Sequence, residues 1–287
     1  MNLSDNFLNS DQKMSKLRCR VSIITPVKNC ERSLERTIES VLSQGYEDIE
    51  YIIVDGNSTD GTHGIIEKYR SRIKLICGND ESIADAMNKG MYEATGSLIG
   101  VLNADDYYLK DSVEKAVRMH LEYPKSIIHG DMLIVDHTGR SYVAQAPGFP
   151  NFKKGQVINH PATFIPASII KQFGEYDPIY QIVGDWELFL RYQLAGVCFK
   201  ALNSTITCYE IGGISTRKPE IVFLEMHNVR RQYKLYKKID FRFLREKWLL
   251  LLFGKYVISL SYKMRMIRYH VSSIIEKIVR KCSNNYS

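Results

Sequence analysis

Long apolar runs are missing from this sequence. The longest, Trp248 to Phe253, is followed at once by Gly254 and Lys255 and falls well below the roughly 20 residues that a membrane-spanning helix requires. No spanning segment is expected. The opening residues, M-N-L-S-D-N-F-L-N-S-D-Q-K-M-S-K, hold no apolar stretch of the kind a secretory signal carries, so no signal is expected either. Cysteine is sparse: Cys19, Cys30, Cys77, Cys198, Cys208 and Cys282 form no C-x-x-C pair and no zinc-ligand spacing. Cys77 and Cys198, inside apolar runs, read as small core residues of a protein kept in reducing, cytosolic surroundings.

What is present is the composition of an ordinary soluble protein, 45% hydrophobic and 25% charged, which by itself says nothing about chemistry. A length of 287 residues can bury one sizeable core, as a single large domain or as a domain plus an extension. The net charge of +7 is unevenly spread. From Arg217 onward there are 17 Lys+Arg against 5 Asp+Glu, leaving 22 against 27 before it. The basic charge belongs to the tail.

Taken in order, residues 1–19 are polar and aperiodic, and read as a disordered or weakly docked lead-in. Val21 to Thr25 is a β-branched strand, and Glu31 to Gln44 a helix with Leu34, Ile38, Val41 and Leu42 on one face. Glu50 to Val54 is a second strand, Asp55 to Gly61 a turn-rich loop, Thr62 to Arg70 a helix and Ile73 to Cys77 a third strand. Ser82 then caps a helix whose Ile83, Ala86, Met87, Met91 and Ala94 share a face. Strands and helices alternating at this spacing predict an α/β fold, with a mostly parallel central sheet flanked by helices.

The next strand is the centre of the reading. Leu98 to Leu102 is apolar without interruption, as in a strand buried on both faces, and it ends abruptly in Asn103, Asp105 and Asp106. Thr25, Asp55 and Asp105 then all fall at carboxyl ends of parallel strands, where an open α/β sheet binds its ligand. Oxygen donors there suit Mg2+ or Mn2+ while it also holds phosphates.

Beyond a helix at Asp111 to Tyr123, short strands at Ser126 to His129, Met132 to Val135 and Ser141 to Ala144, with a hairpin signal at Asp136-His137-Thr138-Gly139, predict a small antiparallel add-on. Pro161 to Phe173 and Gly184 to Leu194 read as helices, and Val197 to Leu202 and Ile206 to Ile211 as strands. The compact part is expected to end near Ser215. The tail, residues 217–287, interleaves Lys/Arg with Tyr, Leu, Ile and Met, as in R-R-Q-Y-K-L-Y-K-K. It reads either as a helical appendage with a solvated basic face or as an interfacial helix on an anionic membrane, and no nucleic-acid recognition motif accompanies the charge.

The segments V-S-I-I-T-P-V-K-N, I-I-V-D-G-N-S-T-D-G-T, S-I-A-D-A-M-N-K-G, A-T-G-S-L-I-G-V-L-N-A-D-D, G-D-W-E-L-F-L-R and G-G-I-S-T, in this order, resemble a family 2 glycosyltransferase of the GT-A fold. The likeness is nearest to the bacterial branch that builds O-antigen, colanic acid and other surface polysaccharides, and it covers roughly Val21 to Thr216. It implies a Rossmann-like domain over 20–216, with a nucleotide-binding part to about 108 and an acceptor part beyond. It also implies inverting transfer of one sugar from a nucleotide donor, usually UDP-linked, with Mn2+ or Mg2+. The implied acceptor is an undecaprenyl-diphosphate-linked glycan at the cytosolic face of the inner membrane, which a basic tail would touch.

Residue by residue, the resemblance places Thr25, Pro26 and Asn29 beside the nucleotide, and Asp55 on the base, where a carboxylate accepts from the uracil N–H. Turn chemistry is the alternative for Asp55. Asp60 reads as a cap of the following helix. Asp85 and Asn88, three apart on one helix face, resemble the segment near the ribose and diphosphate, or else simply line a solvated face. Asn103, Ala104 and Asp105 match the D-x-D motif, with Asp105 the metal-binding acid and Asn103 standing where many relatives have the first Asp. Asp106 reads as a partner behind the metal.

Asp185 matches the catalytic base that takes the acceptor hydroxyl's proton, with Trp186 as the apolar neighbour that raises its pKa. The alternative is an N-cap Asp. Trp186 also offers a stacking floor for the acceptor sugar, Glu187 is the reserve base, and His160 resembles a residue near the acceptor. Arg191 would hold a phosphate or pair with Glu187. Two other readings compete. A sugar nucleotidyltransferase would want glycines after the first strand, which Pro26-Val27-Lys28-Asn29 lacks. A non-catalytic nucleotide-sugar binder would explain Asn103 but not the retention of Asp55, Asp105 and Asp185 together.

Overall fold

The structure, a computed structural model, describes residues 19–136, 139–155, 158–210 and 218–235. The expected lead-in over residues 1–18, the G-G-I-S-T motif and the tail beyond 235 lie outside the described residues.

The chain begins as alternating units: β1 (Val21–Val27), α1 (Leu34–Leu42), β2 (Ile49–Asp55), α2 (Thr62–Lys68), β3 (Lys74–Cys77), α3 (Ile83–Glu93) and β4 (Leu98–Val101). β2, β1 and β4 lie side by side in parallel, with β3 outside β2. Every residue of β1 and β4 is buried, which is why β4 reads as an apolar run, while β1 also buries the polar Ser22 and Thr25. Gly100 is glycine within that run because a Cβ there would sit 2.8 Å from the Tyr108 hydroxyl and 3.0 Å from the Phe164 ring. Those two rings stack at 5.6 Å across the strand.

The second half comprises β5 (Tyr107–Tyr108), α4 (Ser112–Glu122), β6 (Ser126–Val135), β7 (Ser141–Ala144), β8 (Thr163–Pro166), α5 (Ala167–Phe173), α6 (Gly184–Leu194), β9 (Cys198–Glu210) and α7 (Pro219–Gln232). The sheet runs β3-β2-β1-β4-β8-β6-β9-β5, with β7 on β6. β8 is antiparallel to both β4 and β6, so β6 and β9 regain the direction of β4. The mostly parallel sheet and its antiparallel additions match expectation.

Helices cover both faces. On one, Leu34, Ile38 and Val41 of α1 and Val113, Ala116 and Val117 of α4 pack on Ile23, Ile53 and Leu98. On the other, Met87 and Met91 of α3, Trp186 and Phe189 of α6 and Val229 of α7 pack on Ile24, Ile52 and Val101. Burial of this apolar area is what holds the layers together.

Three expectations need correction. The helix expected over Pro161 to Phe173 is instead a short 3-10 turn at His160–Ala162, then β8, then α5. Thr163 to Ile165 is buried on both sides between β4 and β6, and Pro166, which has no N–H, sits where the strand ends. The strands expected at 126–129 and 132–135 are one strand with a shift of register between His129 and Met132, and those expected at 197–202 and 206–211 merge into β9. Cys77 and Cys198 are exposed, whereas Cys19 and Cys208 are buried. Cys77 ends the edge strand β3, where an apolar run does not imply two-sided burial.

Candidate active site

The loop after β4 is held from behind by α1. Thr37, wholly buried, shares its hydroxyl proton between the Ala104 and Asp106 carbonyls at 3.0 and 2.7 Å. One turn on, Ser40 Oγ accepts the Tyr108 N–H, and Gln44 donates to the Leu109 carbonyl at 2.9 Å. Arg36 pairs with Glu210, lies 4.4 Å from the centre of the Tyr107 ring, and reaches the Asp105 carbonyl at 3.4 Å. Arg36, Thr37 and Ser40 of α1, with Gln44 just past its end, therefore set the backbone of residues 104–109.

The loop's side chains divide. Asp106 is fully buried, and desolvation first, then the neighbouring Asp105 charge, push its pKa up, while its Oδ2 accepts from Asn103 Nδ2 at 3.3 Å. Ala104 is buried too, so the expected donor contact is not available to its methyl group. Asp105 is partly exposed at the lip. Behind it, Asn103 Oδ1 and Asp106 Oδ1 are buried with no hydrogen-bond partner. Among the described residues no three His, Cys, Asp or Glu side chains converge as a metal cage. One carboxylate beside an unpaired amide oxygen nevertheless fits a hard divalent cation that draws its other ligands from substrate phosphate and water.

The loops after β1 and β2 are stitched together. Asn29, with φ 55°, accepts the Thr59 N–H at 2.8 Å, and its own N–H donates to Ser58 Oγ at 2.9 Å. Asp60 is not the cap expected of it, since Gly61 holds the N-cap position of α2; its Oδ1 accepts the Thr62 N–H and its Oδ2 the Glu31 N–H, which ties the two loops together. Asp55 ends β2 and is nearly buried, and its Oδ1 takes the Ser58 N–H and hydroxyl at 3.0 and 2.6 Å. Turn chemistry therefore occupies one oxygen of Asp55. Thr25 and Pro26 are corrected: both are buried inside β1, and Thr25 Oγ1 meets the Tyr51 hydroxyl at 3.1 Å. They shape the strand and do not present side chains to a ligand.

Asn88 on α3 uses both ends of its amide on the Tyr176 backbone, donating to its carbonyl at 2.8 Å and accepting its N–H at 3.1 Å. Asp85 is engaged by Lys89 at 2.9 Å, which holds its pKa down. Tyr176 links the two halves of the site. Its hydroxyl lies 2.7 Å from His160 Nε2, and burial, then the nearby Asp185 carboxylate, push its pKa far up. His160 enters from the residues before β8, which, being antiparallel to β4, start at β4's carboxyl edge. Burial lowers its pKa to about 4, so it is neutral. Tyr176 was not foreseen, and its only signal is its place in the Gly174-Glu175-Tyr176-Asp177-Pro178 turn.

Asp185 is the second residue of α6, whose N-cap is Val183, so it is not the cap that a lone Asp would suggest. Its Oδ1 accepts the Trp186 N–H at 2.7 Å. Burial raises its pKa from 3.8 to about 6, against the lowering effect of its backbone bonds, which leaves it mostly ionised and still able to take a proton near neutrality.

Its neighbours are not what was expected. Trp186 is 1% exposed, with Nε1 donating to the Phe152 carbonyl at 2.7 Å, so it is core and not a sugar-stacking floor. Glu187 is equally buried and is not a reserve base. Arg191 holds it at 3.0 and 3.2 Å and Tyr233 donates to it, while Arg191 also donates to the carbonyls of Phe173 and Glu175. Helical periodicity explains this: positions 186 and 187 point inward from a helix buried on nearly all sides.

The comparisons with known proteins fit this geometry. Residues 22–170 match the model of glycosyl transferase family 2. The chain is 31% identical over 205 residues to the putative glycosyltransferase EpsE of Bacillus subtilis, covering 67% of this chain and 72% of that protein. It is 30% identical over 210 residues to WfaP of Escherichia coli, a UDP-Glc:alpha-D-GlcNAc-diphosphoundecaprenol beta-1,3-glucosyltransferase, covering 69% and 80%. In fold it resembles S. aureus TarS 1-349 solved with UDP-GlcNAc, with a TM-score of 0.54 at 18% identity, over 71% of this chain and 65%, just under two thirds, of that one. With a GT-A sheet, polar loops gathered at its carboxyl edge and a sequence match over more than half its length, the chain belongs to glycosyl transferase family 2.

Proposed function

We propose that this protein is an inverting glycosyltransferase that moves one hexose or N-acetylhexosamine from a UDP-linked donor to a lipid-diphosphate-linked glycan in bacterial surface polysaccharide synthesis. The observation that carries the reading is Asp185, a carboxyl with a pKa near 6 grouped with Tyr176, His160 and Asn88. WfaP's donor and acceptor support the chemical classes. Membership of a transferase family sets aside the nucleotidyltransferase alternative.

In this reading the part to about residue 108 holds the donor and the part to about 216 the acceptor. The acceptor hydroxyl attacks the anomeric carbon opposite the leaving diphosphate; the new C–O bond forms as the sugar–phosphate bond breaks, and the proton passes to Asp185. Asp105, with Asn103 near it in the same loop, would hold Mg2+ or Mn2+, which when bound would supply positive charge for the donor diphosphate. Asp55 keeps one oxygen for the base, since only Oδ1 is engaged by Ser58. His160, neutral, fixes Tyr176 beside the base and does not itself accept the proton.

The test is release of UDP from a panel of UDP-sugars with a synthetic lipid-diphosphate sugar acceptor, comparing wild type with Asp185→Asn. Metal-dependent turnover of one donor, lost in the variant while donor binding survives, is expected. Donor binding without turnover on any acceptor would point instead to a non-catalytic binder. The basic tail supports a peripheral site on the inner face of the membrane. Truncation after Leu235 should release the protein from anionic vesicles, and unchanged association would refute the tail's role. A cut at Thr216 would not test this cleanly, because it removes α7, which packs against α6.

A further inference from the structure

The turn that leads into α6 carries no cap of its own. Val183 occupies the N-cap position without a side-chain hydrogen bond, and the N–H groups of residues 181–183 find their partner outside the helix. A residue 42 positions further on takes them. Glu225 of α7, only 7% exposed, accepts the Gln181 N–H through Oε1 at 2.7 Å, and the Ile182 and Val183 N–H groups through Oε2 at 2.9 and 3.0 Å. Three successive peptide groups are thus fixed by one side chain, ending two residues before Asp185.

α7 and the residue after it, Tyr233, also hold α6 and the segment before it at other points. Arg230 lies 5.5 Å from the centre of the Trp186 ring, Tyr233 donates to Glu187, and Gln232 Oε1 accepts from the Tyr180 hydroxyl at 2.5 Å. Val229, wholly buried, belongs to the same core as Trp186. All of this lies beyond the stretch matched by the family model, which stops at residue 170.

We propose that Glu225 is a positioning residue for the proposed base: by holding the 181–183 backbone it sets the direction in which the Asp185 carboxylate faces the acceptor. The inference rests on the reading of Asp185 as base. Its physical basis is that a carboxylate accepting three N–H bonds is a strong anchor, and that proton removal tolerates little error in the placement of the accepting oxygen. Gln cannot reproduce the anchor, since it offers one acceptor oxygen and turns two donors toward N–H groups. Asp keeps the charge but is one methylene short.

The test uses the full chain with four variants, Glu225→Gln, Glu225→Asp, Asp185→Asn and the Glu225→Gln/Asp185→Asn double, followed by turnover, UDP binding and thermal melting. Glu225→Gln is expected to lower kcat about 10- to 100-fold with UDP affinity unchanged, and Glu225→Asp to fall between it and wild type. In the Asp185→Asn background the second change should add nothing, because the group through which Glu225 acts is already gone. The acid limb of the kcat/KM profile should also move to higher pH in Glu225→Asp, as the carboxylate loses its alignment with the Trp186 N–H.

Wild-type kcat in folded Glu225→Gln or Glu225→Asp, beside an inactive Asp185→Asn, overturns this inference alone. So does a multiplicative loss in the double variant, which would mark a purely structural brace. Wild-type turnover in Asp185→Asn overturns the base assignment and this inference together. Should Glu225→Gln fail to bind UDP or to melt cooperatively, Glu225→Asp decides, and an unmoved acid limb in it counts against the proposal.

Discussion

Replacing Asp185 by Asn should cut turnover by orders of magnitude and at the same time stabilise the protein. Burial raises the folded-state pKa of this carboxyl from 3.8 to about 6, so the native state binds its proton more tightly than the unfolded chain does. The sign follows directly: the group's contribution is intact below pH 3.8 and is lost as the pH rises through about 6. A rise of this size corresponds to about 3 kcal/mol of penalty on the ionised form, and partial exposure of the side chain reduces that to roughly 1–2 kcal/mol. Asn has nearly the same shape, is never charged, and can still accept the Trp186 N–H.

Urea unfolding of wild type and variant at pH 8 and at pH 4 measures the difference. The variant should be more stable by about 1–2 kcal/mol at pH 8, with the margin shrinking toward zero near pH 4. Wild-type kcat/KM should climb through pH 6, and the variant should lose about 10²- to 10⁴-fold in rate. A variant no more stable than wild type at pH 8, or equally favoured at both pH values, would refute the claim that burial perturbs this group.

Two further expectations concern the donor loop. Thr37→Val removes the hydroxyl bonded to the Ala104 and Asp106 carbonyls while keeping the side-chain shape, and should destabilise the fold by about 1–3 kcal/mol and raise the Mn2+ concentration needed for half-maximal turnover; an unchanged melting point and metal requirement would show that α1 does not set the loop. Asp105→Ala should mimic EDTA, which is expected to stop sugar transfer until Mg2+ or Mn2+ is restored, and full activity in EDTA would remove the metal from the mechanism.

Much of the fold was legible because a parallel strand buried on both faces leaves an apolar run that ends abruptly in polar residues. β4 appeared this way, and the polar endings of β2 and β4 located Asp55 and Asp105 at one edge of the sheet. β8 was not legible. Pro161-Ala162-Thr163-Phe164-Ile165-Pro166 is short and apolar, a pattern shared by a buried strand and a buried helical turn, and only its pairing with β4 and β6 decides between them. Trp186 and Glu187 were misread for a related reason. Adjacency to Asp185 in sequence implied adjacency in function, but successive helical residues point in different directions, and these two face the core.

The site's remaining parts were hidden because their partners are far apart in the chain. Asn88 meets Tyr176 across 88 residues, and Glu225 meets the entry to α6 across more than 40, distances at which periodicity carries no information. Motif spacing could name Asn88 but not its role, because its amide is engaged at both ends by backbone and thereby fixes the loop that brings Tyr176 to His160 and Asp185. The donor side is built differently. Its loops are bonded to each other, Asn29 to Thr59 and Asp60 to Glu31, and α1 fixes the Asn103–Asp106 turn from within the first 110 residues. Local bracing therefore supports the donor half, whereas the half that holds the proposed base depends on α3, on the approach to β8 and on α7. Perturbing α7 should thus reach proton removal before it reaches nucleotide binding, because no described contact of Glu225, Arg230 or Tyr233 leads to the donor loops.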